Sequence, residues 1–227
     1  MDILVFLSSG VAILIVLVIL ILVATAIIAR ATHLTSLSPS STAIINTIGA
    51  VAEYGAFLAG IWIVYRYRGA KPGNLGLRMP DKKWLIAAPL ICIACLAGTT
   101  AISSASSYLL PKIADTQCTQ VSAGFGGSLP LAIFVVSILA PFAEETIFRG
   151  FLYGVLRGRF PYIGAAILSA AIFAALHAQP LLFPSLLALG FVLCTLYEYS
   201  GSTYPGMIVH SLFNLFGIIA ILIAHQC

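Results

Sequence analysis

Long apolar runs, separated by short polar stretches, make up most of the sequence. A helix that crosses a bilayer needs about 20 mostly apolar residues. Seven segments read as such spans: 3–29, 43–65, 84–103, 129–158, 162–178, 181–199 and 204–224. The first is longer than a signal-peptide core of about 7–15 residues and has no basic stretch before it, so it reads as a retained span. The fourth is long, and Pro141 inside it predicts a kink. The fifth and sixth are short, with little more than Gln179-Pro180 between them, which predicts a hairpin turning inside the protein rather than at the membrane surface. The polar stretch 104–128 reads as a loop. The predicted fold is therefore all-α: a polytopic transmembrane helical bundle of about seven spans. No internal repeat or low-complexity tract divides it, so it reads as a single membrane domain, with N-terminal helices and loops over 1–128 and a core over 129–227.

Composition agrees. Hydrophobic residues make up 61% of the 227 and charged residues 8%, where a soluble domain carries about 25% charged. The net charge of +4 does not signal nucleic-acid binding, because the basic residues cluster in one short loop. That loop, 66–83, holds Arg66, Arg68, Lys71, Arg78, Lys82 and Lys83, which predicts a cytoplasmic location. Alternate crossing puts Arg157 and Arg159 on the same side and leaves Arg30 and Lys112 opposite, with the N-terminus inside and the C-terminus outside. Five cysteines are too few and too scattered for a disulfide framework, and Cys92 and Cys95 read as small packing residues. The compact chain, with no appended domain or sorting tail, points to a prokaryotic plasma (inner) membrane.

The chemistry starts from two adjacent acids. The chain has only seven Asp and Glu, yet Glu144 and Glu145 lie side by side in an apolar span. A charge there is costly unless it is paired or lines a water-filled cavity. Glu145 and Arg149 are spaced i, i+4, so their side chains can meet on one helix face. Glu144 is rotated about 100° away and has Phe148 at its own i+4 position, so it is the acid left over and a candidate general base. The alternative is that both acids only tie helices together.

Two histidines also fall inside spans: His177 at the end of AAIFAALH, and His210 in MIVHSLFNLFG, with Asn214 four residues on. Glu145 precedes Arg159 by 14 residues, about 21 Å of helix, and His177 follows Tyr162 by 15, about 22 Å, so the two share a depth if 159–162 is a tight turn. His210 is only six residues past Tyr204, about 9 Å, and a tilted or deeply starting last helix must close that gap. Glu53 reads as a packing or loop-facing acid, Glu198 as a solvated span end, and His33 and His225 as interfacial.

Glu144-Glu145-x-x-x-Arg149, Phe173-x-x-x-His177 and His210-x-x-x-Asn214, in that order and each inside a span, resemble the CPBP family of intramembrane proteases. That family includes type II CAAX prenyl endopeptidases, bacteriocin-processing proteins and Abi proteins. The resemblance covers about 131–216 and makes 129–227 a CPBP-like catalytic core. It implies a helical bundle around a water-accessible intramembrane cavity, and peptide-bond hydrolysis without a covalent intermediate. Glu144 would activate the water with help from His177, Glu145 would pair with Arg149, and His210 and Asn214 would polarise the scissile carbonyl. This needs no cofactor. The metal alternative is a zinc ion on Glu144, His177 and His210, although no H-E-x-x-H is present. The implied partners are the lipid bilayer and a protein or peptide substrate with a membrane-associated or C-terminal segment. Two other classes stand beside this one: a non-catalytic scaffold or immunity protein of the same fold, and a proton-coupled transporter. Loss of a motif residue would favour the first and an inverted repeat the second, and the sequence shows neither.

Overall fold

A backbone inside a bilayer must satisfy its own hydrogen bonds, which makes helices of the apolar runs. The computed structural model describes residues 38–67, 69, 71–113, 117–125 and 128–224. The predicted span 3–29, with Arg30, His33 and His225, lies outside the described residues. Among these, the chain forms seven helices and no strand: α1 Pro39–Tyr67, α2 Lys82–Leu109, α3 Gln117–Phe125, α4 Leu129–Arg157, α5 Tyr162–Leu176, α6 Phe183–Ser200 and α7 Tyr204–Ala224.

α1, α2, α4, α6 and α7 are long and apolar enough to cross a membrane. α5 is not: its 15 residues extend about 22 Å, short of the ~30 Å hydrocarbon core. This corrects the full span predicted over 162–178. Part of the stretch read as a loop over 104–128 is helix: α3 is held to α1 by Asn46 Nδ2 donating to the Gly124 carbonyl (2.7 Å), and to the α5–α6 turn by Gln179 Nε2 donating to Gln120 Oε1 (2.8 Å).

The opposite end of the bundle gathers the basic loop and two turns. Arg78 Nε donates to the Gly201 carbonyl at 2.7 Å, Ser202 Oγ to the Arg78 carbonyl at 2.6 Å, and Thr203 N–H to the Gly76 carbonyl at 3.0 Å. Glu198 is not simply solvated; it accepts from Tyr153 Oη at 2.6 Å and from Arg157 Nη2 at 2.9 Å. Loop 71–81 folds back into the bundle. After the single turn Pro72–Leu75, Gly76 takes a left-handed conformation (φ +71°), and Leu75 is buried against Ile61, Val64 and Phe151. Gly150 on α4 permits this, since a Cβ there would lie 2.6 Å from the Leu75 carbonyl oxygen.

Within α4, Pro141 has no N–H to donate. The helix answers with wider, π-type winding over Ile133–Leu139 and Glu145–Tyr153, on either side of Ala140–Glu144. Such winding is frequent at functional sites. The main core joins α2, α6 and α7 through Ala88, Cys92, Cys95, Leu189, Leu193 and Val209. Cys92, Cys95 and Cys194 are free and buried, as read for the first two, whereas Cys118 is disulfide-bonded.

Candidate active site

The predicted Glu145–Arg149 pair is present. Arg149 Nη1 donates to Glu145 Oε1 at 2.9 Å, and both side chains are fully buried. Arg149 Nη2 also donates to the Gly190 carbonyl at 3.3 Å, and its guanidinium stacks 4.5 Å from the Phe173 ring. Two buried charges are tolerated when each finds its counter-charge and further hydrogen bonds.

His210 joins this pair from α7, with Nδ1 3.0 Å from Glu145 Oε1. A carboxylate paired with arginine only accepts, so Nδ1 carries a proton and donates. The depth gap in the sequence closes because α7 starts inside the bundle: Ser202, Thr203 and Pro205 are buried beneath loop 71–81. Gly206, on the first turn of α7, lets the carboxylate approach; a Cβ there would sit 2.7 Å from Glu145 Oε2. The positive end of a helix also favours a carboxylate at that place.

Glu144 stands apart from the pair. Its side chain keeps 13% exposure, and its Oε2 lies 3.8 Å from His210 Nε2, beyond direct bonding. Oε1 accepts from Tyr54 Oη on α1 at 2.6 Å, whereas Oε2 is buried without a protein hydrogen-bond partner. Among the described residues, four buried side-chain polar atoms lack such a partner, and all lie on α4: Ser137 Oγ, Glu144 Oε2, Glu145 Oε2 and Arg149 Nε. Buried polar atoms left free in this way mark a place for water or a ligand.

The other two motif residues flank this centre. His177 is exposed at the end of α5; its Nδ1 is bonded to the Phe173 carbonyl at 2.8 Å, which leaves Nε2 for another partner. Phe173 stands between the histidines, with ring centroids 4.6 Å from His177 and 5.8 Å from His210. The next residue, Ala178, has φ +51°, a left-handed conformation uncommon for a residue with a side chain. Strain of this kind clusters at active sites. An open hollow of about 530 Å³ lies here, lined by Ala174, Ala178, Gln179 and Phe183 among others. Asn214 Nδ2 donates to the Val136 carbonyl at 2.8 Å, and its second amide hydrogen remains for a ligand.

Spacing along the chain does not single out Tyr54 or Gly206. Tyr54 had a usable signal, since a tyrosine hydroxyl in mid-span needs an acceptor. Its neighbour Glu53 is exposed on α1. The zinc alternative fits the geometry poorly. Among the described residues, no three His, Cys, Asp or Glu side chains converge to hold a metal ion, so no step below is routed through one.

Residues 126–216 match the family model described as Rce1-like, type II CAAX prenyl endopeptidase Rce1-like. The matched stretch is thus similar to type II CAAX prenyl endopeptidases. A similar protein is "Putative membrane peptidase YdiL" of Bacillus subtilis (strain 168), 30% identical over 105 residues. The alignment takes in 46% of this chain and 43% of that relative, so the likeness spans under half of either protein. No solved structure matches the chain. The Rce1-like match contains Glu144, Glu145, Arg149, His177, His210 and Asn214, and leaves α1, with Tyr54, outside it.

Proposed function

We propose that this protein is an intramembrane endopeptidase that hydrolyses a peptide bond near the end of a membrane-associated protein or peptide, with water activated by Glu144. The observation that carries the reading is the division of labour between the two acids. Glu145 is committed to Arg149 and His210 through Oε1, while Glu144 has no charged partner at bonding distance and keeps Oε2 3.8 Å from His210 Nε2. The family match and the similarity to a membrane peptidase support the same class of activity.

In this mechanism Glu144 Oε2 takes a proton from water as the water oxygen attacks the carbonyl carbon. His177 Nε2 helps to hold the water. The oxyanion is met by the free amide hydrogen of Asn214 and by the ring of His210, anchored through Nδ1 on Glu145. The proton on Glu144 then passes to the amine as the C–N bond breaks. The reaction needs no covalent enzyme intermediate and no metal. The working location is the plasma membrane of a prokaryote.

The test compares peptide termini in membranes from cells carrying wild type or Glu144→Gln. Discrete N- or C-termini that vanish in the variant support the reading and identify substrates. Unchanged termini, with the variant folded and accumulated normally, overturn it.

A further inference from the structure

We propose that Tyr54 is the positioning residue for Glu144: its phenol fixes Oε1 and thereby assigns Oε2 as the atom that receives the proton from water. This rests on the reading of Glu144 as the base. The contact joins residues 90 positions apart, across α1 and α4, at 2.6 Å. Glu144 has no basic residue at its i+4 position to hold it, because Phe148 is there, so its flexible side chain depends on another helix for its orientation. Tyr54 supplies that contact at the short distance of a hydrogen bond to an ionised acceptor.

The two carboxylate oxygens are therefore not equivalent. Oε1 already accepts from Tyr54, and Oε2, buried and unpartnered, faces His210. In the reaction an O–H bond of water breaks, its proton goes to Oε2, and the water oxygen bonds to the carbonyl carbon. The proton then leaves for the departing amine. The Tyr54 hydrogen stays on its own oxygen throughout, so Tyr54 exchanges no proton and acts through Glu144. Family membership does not account for this contact, since α1 lies outside the matched residues.

The first experiment needs no substrate. Infrared difference spectra of the full chain in phosphatidylcholine liposomes are recorded for Tyr54→Phe against wild type, and for the same exchange within Glu144→Gln. A carboxyl band that moves in the first pair and is absent from the second supports the contact, and identical differences in both backgrounds overturn it. The second uses a synthetic peptide spanning a terminus lost in Glu144→Gln membranes. Tyr54→Phe should lower kcat by roughly tenfold to a hundredfold, with KM within about twofold and an unchanged unfolding midpoint. A wild-type kcat, or a loss confined to KM or to folding, overturns the positioning role while leaving Glu144 as the base. If wild type and Glu144→Gln membranes carry the same termini, the protease reading fails and this role fails with it.

Discussion

His210 and Glu145 meet at 3.0 Å, joining the last helix to the fourth through the same carboxylate oxygen that accepts from Arg149. Glu145 is thereby a structural anion, and the two adjacent acids separate into a support and a reagent.

Removing one partner of the anchored pair should unfold the protein more readily. Arg149→Met leaves a buried carboxylate uncompensated and should cost about 3–5 kcal/mol. Glu145→Gln combined with Arg149→Met should cost less than the sum of the single changes. Thermal unfolding of the four proteins in one detergent checks both statements.

Glu144→Gln should behave differently. The partly exposed side chain has no charged partner at bonding distance, so stability should change by less than about 1 kcal/mol. Cleavage should fall by about 10²–10⁴, the usual contribution of a general base. A variant that unfolds early, or one that still cleaves, contradicts this assignment.

Gly206→Ala should displace Glu145. The new methyl would lie 2.7 Å from Oε2, and overpacking of this kind costs about 1–3 kcal/mol. Gly217→Ala on the same helix meets open space, and its effect should be neutral or stabilising by up to about 1 kcal/mol. Unfolding midpoints of the two variants, measured side by side, separate a local clash from a general intolerance of alanine.

Gly150→Ala should expel loop 71–81. The added Cβ would stand 2.6 Å from the Leu75 carbonyl, which is backbone and has little room to yield. Limited trypsin digestion should then cut faster at Arg78 than in wild type. An unchanged digestion pattern would show that the loop is held without this contact.

Metal removal should leave cleavage intact. Dialysis against a strong chelator is expected to preserve the rate on a peptide that wild type cleaves and Glu144→Gln spares. Loss of activity, restored by zinc, would return Glu144, His177 and His210 to the role of ligands.

The Glu145–Arg149 contact was legible because its geometry is local: an i, i+4 step on a helix brings the side chains together wherever the helix sits. The level of His210 was not legible. Counting residues from Tyr204 assumes that α7 starts at the membrane surface, and the start is instead buried beneath a loop that the sequence shows only as polar and basic. The shortness of α5 blurred its predicted end, since apolar residues continue past Leu176 into the hairpin. Tyr54 was out of reach of spacing arguments because its partner lies 90 residues away on another helix, and no period links them. α3 went unseen inside a polar stretch, where tertiary bonds to Asn46 and Gln179 supplement a weak apolar pattern.

Thr203, just before α7, hangs from the Gly76 carbonyl, and His210 follows seven residues later on that helix. A helix transmits axial displacement like a rod, so an ångström of movement at the loop arrives at the imidazole nearly undiminished. Misplacement of about 1 Å is enough to cost a reaction some hundredfold in rate. The alignment of groups deep in the bundle is thus gauged from its rim.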